Sequence, residues 1–213
     1  MRVNIGCGQT PTAGWTSYDN SLSLRISKIP FLIEALTALG LLNKDQWEFA
    51  HFARSSNIQY ADATRYIPLP SASVEFVYSS HMLEHLDKAD ARLFLAEVRR
   101  ILKPGGMVRI AVPDIELIIR KYLANQDANV FVRTTNLSSS RPRTVLEKLR
   151  VLFVGNRSHL WMYDGRSLCS LLSECGFLQV DTVPAGTSRL PQPGTLDLHE
   201  RSEETVYAEG VNP

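Results

Sequence analysis

From residue 2 to residue 183 the chain alternates short apolar runs with segments whose apolar residues recur at helical spacing. The runs at 2–5, 15–19, 58–61, 74–79 and 107–112 are too short for helices, and most are closed by Gly, Asp or Ser, as strands are. Such alternation buries its apolar faces as a parallel sheet with helices on both sides. Two last runs, 177–183 and 205–210, are joined by a Pro/Gly-rich connection alone, so they read as an antiparallel hairpin added to that sheet. The expected architecture is α/β and doubly wound, a mainly parallel seven-stranded sheet in a single domain spanning 1–213.

Several helix ends are marked. Asp87 caps a helix carrying Leu93, Phe94, Val98, Ile101 and Leu102. Arg99, Arg100 and Lys103 suit the negative end of its dipole, and Pro104-Gly105-Gly106 stops it. Asp114 caps the next, with Ile115, Ile118, Ile119, Tyr122 and Leu123 on one face. Residues 31–42 form a helix that is apolar almost all round, expected to be buried against its own sheet or between two chains of a homodimer. The helix after it starts at Asn43, with Gln46 three residues on as in a capping box. Residues 125–143 read as loop, and Thr144 and Glu147 cap a helix reaching Val154. A last helix runs from Asp164 to Cys175, closed by Gly176. The helical insert 21–57 and the segment 125–163 are expected to form a lid over the substrate.

A net charge of +1 gives no global electrostatic case for a nucleic-acid partner. Cys7, Cys169 and Cys175 are odd in number and form no framework, so they read as reduced thiols of a cytoplasmic protein. Gly6 and Gly8 interrupt any leader-like apolar stretch, and no apolar run reaches the ~18 to 20 residues of a transmembrane segment.

Gly6-Cys7-Gly8 follows the first strand, where a glycine turn lets a ligand approach the backbone at the carboxyl ends of the strands. Asp19 ends the second strand, where a carboxylate can accept from both ribose hydroxyls. Asp62 ends the third, where one can accept from the exocyclic amine of adenine. Each alone is equally a turn or capping residue. In this order they read as a nucleoside site.

The motifs Val3-Asn4-Ile5-Gly6-Cys7-Gly8, Gly14-Trp15, Asp19, Leu83-Glu84-His85-Leu86 and Leu102-Lys103-Pro104-Gly105-Gly106 resemble the class I S-adenosylmethionine (SAM) dependent methyltransferases, in their type 11-like branch, over nearly the whole chain. The resemblance implies a Rossmann-like fold and SAM as cofactor. It implies Gly6, Cys7 and Gly8 along the methionine moiety, Asp19 at the ribose, Asp62 and Ala63 at the adenine, and Ser80 and His81 beside the sulfonium. The chain departs from the pattern in three places. Asn4 stands where an acid is usual before the first glycine. Thr10-Pro11 replaces the third glycine. The stretch from Gly6 to Asp19 is too short for a full crossover helix.

His81, Glu84 and His85 fall at i, i+3 and i+4, on one face if they sit on a helical turn at the end of the fourth strand. The resemblance places the transferred methyl there. Three readings stay open: a histidine general base, a divalent metal that orients or acidifies a hydroxyl, or a hydrogen-bonded helix start. His159, in an aromatic-rich stretch, is a second base candidate or a core-facing plug. Arg133, Arg141, Arg143, Lys148, Arg150 and Arg157 make the middle of the chain basic, suited to an anionic group on the substrate or to a solvated face.

The expected reaction is methyl transfer from SAM to a hydroxyl of a saccharide or other small molecule, a choice of acceptor that follows the resemblance alone. Ser79-Ser80-His81-Met82 lacks the Asn/Asp-Pro-Pro-aromatic motif that would point to nucleic-acid bases. A nicotinamide oxidoreductase would want a fuller glycine fingerprint and a Tyr-x-x-x-Lys pair, and neither is present. The alternatives are a nitrogen or carbon acceptor, and a SAM-binding or partner-binding protein without turnover.

Overall fold

The computed structural model describes residues 1–29, 31–42, 44–137, 144–145, 148 and 158–213. Among these residues one sheet contains β1 (Arg2–Ile5), β2 (Thr16–Asp19), β3 (Ile58–Tyr60), β4 (Val74–Ser80), β5 (Leu102–Pro113), β6 (Leu178–Val183) and β7 (Thr205–Val211). The order is β3-β2-β1-β4-β5-β7-β6. The first five strands pair in parallel, and β7 runs antiparallel between β5 and β6. The mainly parallel sheet and its C-terminal antiparallel hairpin are those the alternation predicts.

Among the described residues the helices include α1 (Leu22–Ser27), α2 (Leu32–Ala38), α3 (Lys44–Ser55), α4 (Lys88–Ile101), α5 (Ile115–Asn125), α6 (Ala128–Thr135) and α7 (Gly165–Glu174). Asp87 accepts from the N–H groups of Ala89 and Asp90 at the head of α4, satisfying donors that have no partner within the helix. Ala91, Phe94, Leu95, Val98 and Ile101 then form a buried stripe in the main core with Val3, Ile5, Val77, Val108 and Ile110 of the sheet. Leu168, Leu171 and Leu172 of α7 join the same core, and Gly176, at φ +88, ends that helix.

A second apolar cluster contains Phe76, Tyr78, Ala111 and Tyr207 of β4, β5 and β7. It is covered by the segment 184–204, through Leu190, Leu196 and Leu198, rather than by a helix. A buried ion pair fixes that segment. Arg109 and Glu209 stand opposite one another on β5 and β7, both fully buried, with Nη1 and Oε1 2.8 Å apart. Arg109 Nη1 also donates to the Thr187 carbonyl at 2.8 Å. Glu209 accepts from Ser188 Oγ at 2.6 Å and from the Arg189 N–H at 2.8 Å. Burial pushes the Glu209 carboxyl up, but the donors from Ser188, Arg189 and Arg109 outweigh it and hold the group below the usual carboxylate range.

The connection from β1 to β2 is a loop, as its length requires. The buried Asn4 braces it, its Nδ2 donating to the Thr10 carbonyl (3.2 Å) and to Thr12 Oγ1 (3.0 Å).

Two expectations are corrected. Within the single chain, residues 31–42 do not form one continuous buried helix. Phe31 sits at φ +63 and Gly40 at φ +68, which confine α2 to Leu32–Ala38. Ile33 alone of that helix is buried, while Phe31 is 83% and Leu39 66% exposed. Residues 125–143 are not all loop, because Asp127 caps α6 by accepting from the N–H groups of Asn129 and Val130. Phe131 of α6 packs on Tyr122 of α5 with ring centroids 5.2 Å apart. The cap at Asn43 and most of the helix expected at 144–154 lie outside the described residues. No described helix is long and apolar enough to cross a membrane.

Candidate active site

The strand order sets the tips of β2, β1 and β4 side by side. At the tip of β1 the chain turns sharply, with Gly6 at φ +70 and its N–H donating to the Tyr18 carbonyl at 2.8 Å. A Cβ on Gly6 would lie 2.5 Å from Met82 Cγ, so the turn demands glycine on both counts. Gly8, at φ +49, faces open space. At the tip of β2 the mostly buried Asp19 accepts from the Gly8 N–H at Oδ2 (3.0 Å) and from the Ser21 N–H at Oδ1 (2.8 Å). These donors fix the carboxylate and leave each oxygen a lone pair for a ligand.

Over these tips lies a cavity of about 700 Å³. Its wall includes Gly6, Cys7, Gly8 and Asp19, then Ser80 and His81 at the tip of β4, and His85 beyond them. Burial, aided by the Asp19 charge, pushes the Cys7 thiol up to about 12, so it stays protonated and inert. Asp62 and Ala63 are not among the residues lining the cavity. Asp62 instead accepts from the N–H and hydroxyl of Thr64, as an Asx turn does. Phe49 of α3, Glu200 and Arg201 do line it, and the sequence did not single them out. The two charged residues come from a segment with no local motif.

The expected face of His81, Glu84 and His85 is divided. Only Leu83–His85 form a helical turn, and it is 3-10 rather than α. His81 precedes it at φ +49, a strained conformation for a non-glycine residue, with its N–H bonded to the Ala111 carbonyl at 2.9 Å. Glu84 therefore turns inward and is 1% exposed, while His81 and His85 face the cavity. His81 Nε2 bonds Thr205 Oγ1 at 2.9 Å, and its Nδ1 is 3.5 Å from Glu84 Oε1. His85 Nδ1 lies 3.2 Å from the Ser158 carbonyl, which can only accept, so Nδ1 carries a proton and, in the neutral ring, Nε2 keeps the lone pair.

His159 comes in behind these residues, its Nε2 3.9 Å from Glu84 Oε1 and its ring edge-on to His85 at 5.1 Å. Burial holds the His159 ring below its ordinary value, against the pull of Glu84, and keeps it neutral near pH 7. Glu84, His85 and His159 each offer one ligand atom, all within 4.8 Å of one another. Of the basic residues in the middle of the chain, Arg133 is exposed on α6, and Arg141, Arg143, Arg150 and Arg157 lie outside the described residues.

A glycine turn, a strand-end carboxylate and a cavity bridging β2, β1 and β4 lie at the carboxyl ends of the strands of a Rossmann-like fold, the place where such sheets bind ligands. Residues 3–110 match the family model described as a methyltransferase domain, and the chain belongs to that family: it is a SAM-dependent methyltransferase. An O-methyltransferase from Pyrenophora dematioidea is 26% identical over 220 residues, covering 98% of this chain and 74% of that protein. A SAM-dependent methyltransferase from Thermotoga maritima shares the fold at 17% identity with a TM-score of 0.53, over 100% of this chain and 82% of its own. Another from Methanosarcina mazei does so at 13% identity with the same score of 0.53, over 99% and 91%.

Proposed function

We propose that this enzyme, as one methyltransferase domain, methylates a hydroxyl oxygen of a small molecule or saccharide, with His85 as general base. The observation that carries this reading is His85 on the cavity wall, with its Nδ1 committed to the Ser158 carbonyl, which leaves Nε2 as the ring nitrogen for the acceptor. SAM would lie across the strand tips, with its ribose at Asp19, its methionine moiety along Gly6–Gly8 and its sulfonium beside Ser80 and His81. When bound, SAM would supply an activated methyl group to the acceptor oxygen, leaving as S-adenosylhomocysteine, and His85 Nε2 would take the hydroxyl proton. Positioning and a matched local field do most of the work in such a transfer. The likeness to an O-methyltransferase over 98% of the chain favours an oxygen acceptor over nitrogen or carbon. The helices of 21–57, through Phe49, would close over the acceptor, while much of the segment 125–163 lies outside the described residues.

A second reading adds a divalent ion. The cluster Glu84, His85 and His159 supplies one carboxylate and two imidazoles within 4.8 Å, and both Glu84 oxygens lack a hydrogen-bond partner among the described residues. Two nitrogen donors and one oxygen donor fit zinc or a similar ion. These three residues would hold it, and its charge would acidify a bound hydroxyl.

The test supplies SAM with panels of sugars, phenols, amines and activated-carbon acceptors and measures S-adenosylhomocysteine and the methylated atom. Turnover on hydroxyls that collapses in His85→Ala supports the proposal. Methylation on nitrogen or carbon alone, or full turnover in His85→Ala, overturns it.

A further inference from the structure

Resting on SAM as the ligand of this cavity, we infer that Glu200 is the counter-charge for the ammonium group of the cofactor's amino-acid end. SAM brings a zwitterion into the cavity, and a buried ammonium demands a carboxylate partner. Asn4, beneath the glycine turn, is neutral: its Nδ2 donates to Thr10 and Thr12, and its buried Oδ1, without a partner among the described residues, is an acceptor that carries no charge. Asp19 belongs to the β2 end of the cavity, anchored by Gly8 and Ser21. The other carboxylate on the wall is Glu200, and it stands at the opposite end, against β4.

Glu200 is built in rather than waving in solvent. Its Oε2 accepts from the hydroxyl of the buried Tyr78 on β4 at 2.7 Å, and its Oε1 from Thr10 Oγ1 in the glycine loop at 3.2 Å. Its backbone carbonyl accepts from Tyr207 Oη at 2.6 Å. The negative charge of Glu200 joins burial in pushing the Tyr78 phenol well up, so Tyr78 stays a donor to the carboxylate. Each Glu200 oxygen keeps a lone pair for an ammonium hydrogen. Arg201 brings a cation to the same wall, so this segment offers both charges a zwitterion needs. The neutral Asn4 and the charged Glu200 thus complement each other: a residue nearly 200 positions away in sequence supplies what the turn's own strand lacks.

The experiment is calorimetric titration of wild type, Glu200→Gln and Glu200→Asp with two nucleosides. S-adenosylhomocysteine carries the ammonium group, and 5′-methylthioadenosine lacks the whole amino-acid end. Glu200→Gln should lose at least ~10-fold in affinity for S-adenosylhomocysteine, the scale of a lost charge-assisted hydrogen bond, and change little for 5′-methylthioadenosine. Glu200→Asp, which keeps the charge, should bind S-adenosylhomocysteine more tightly than the Gln variant does. Equal losses on both nucleosides would make Glu200 a shaping residue and overturn the inference. So would no loss on either, with the SAM site itself left standing because wild type still binds both. If wild type binds neither nucleoside, the cofactor reading fails and the inference falls with it.

Discussion

Glu84 Oε1 lies 3.5 Å from His81 Nδ1, on a carboxylate that is 1% exposed and has no hydrogen-bond donor among the described residues. Burying an ionised carboxylate costs several kcal/mol unless a cation or donors compensate. A buried group that costs stability and sits beside a histidine of the cavity wall, His81, is a group kept for function. Glu84→Gln is expected to hold or raise the melting temperature while lowering turnover by at least ~10-fold, the low end of losing acid–base assistance. A variant that melts earlier and turns over normally would make Glu84 purely structural.

Asp19 should govern cofactor affinity. Its carboxylate has both oxygens oriented by backbone N–H groups, so a ribose would find them already in place. Asp19→Ala should weaken SAM binding at least ~10-fold, the equivalent of about 1.4 kcal/mol. Unchanged affinity by calorimetry would remove Asp19 from the site.

His159 makes stability depend on pH. Its folded-state value lies below the ordinary 6.5, chiefly through burial. The unfolded chain therefore takes up the proton first as pH falls. The stability this neutral ring contributes is fully present above pH ~6.5 and is lost as pH drops through the folded value. Denaturant titrations should show wild type losing more stability than His159→Gln on going from pH 7.5 to pH 5.5. Parallel losses in the two proteins would contradict the burial argument.

Local signals in the sequence were legible, and long-range ones were not. Asp87, Asp114, Asp164 and Gly176 act on residues within a turn of themselves, the three aspartates starting a helix and the glycine ending one where the spacing predicts. Gly6 and Asp19 close adjacent strands, so strand order alone brings them together. The inward turn of Glu84 could not be read from i, i+3 and i+4, because that spacing presumes an α-helix and His81 stands outside the 3-10 turn. Composition misled at α2, where an apolar run left no polar face to orient it and Ile33 alone reached the interior. Glu200 meets Tyr78 across 122 positions, through a segment held by the Arg109–Glu209 pair, and nothing in its neighbourhood announces it.

The base is the assignment with the most at stake. His81 has both ring nitrogens engaged or flanked, by Thr205 and Glu84, whereas His85 has only Nδ1 committed. His159 is set back against Glu84. Under saturating SAM, with binding measured separately, His85→Ala should therefore lose ~10² to 10⁴ in turnover and His81→Ala less. A chelator in the same assays separates the two readings of the cluster. If His85 acts as a base alone, chelator leaves wild type unchanged and His159→Ala costs little. If an ion sits on Glu84, His85 and His159, chelator and His159→Ala should each match His85→Ala, and a divalent ion should restore the chelated enzyme. Near-wild-type turnover in all three histidine variants, with no effect of chelator, would leave positioning alone to drive the transfer and would end the case for a base in this cluster.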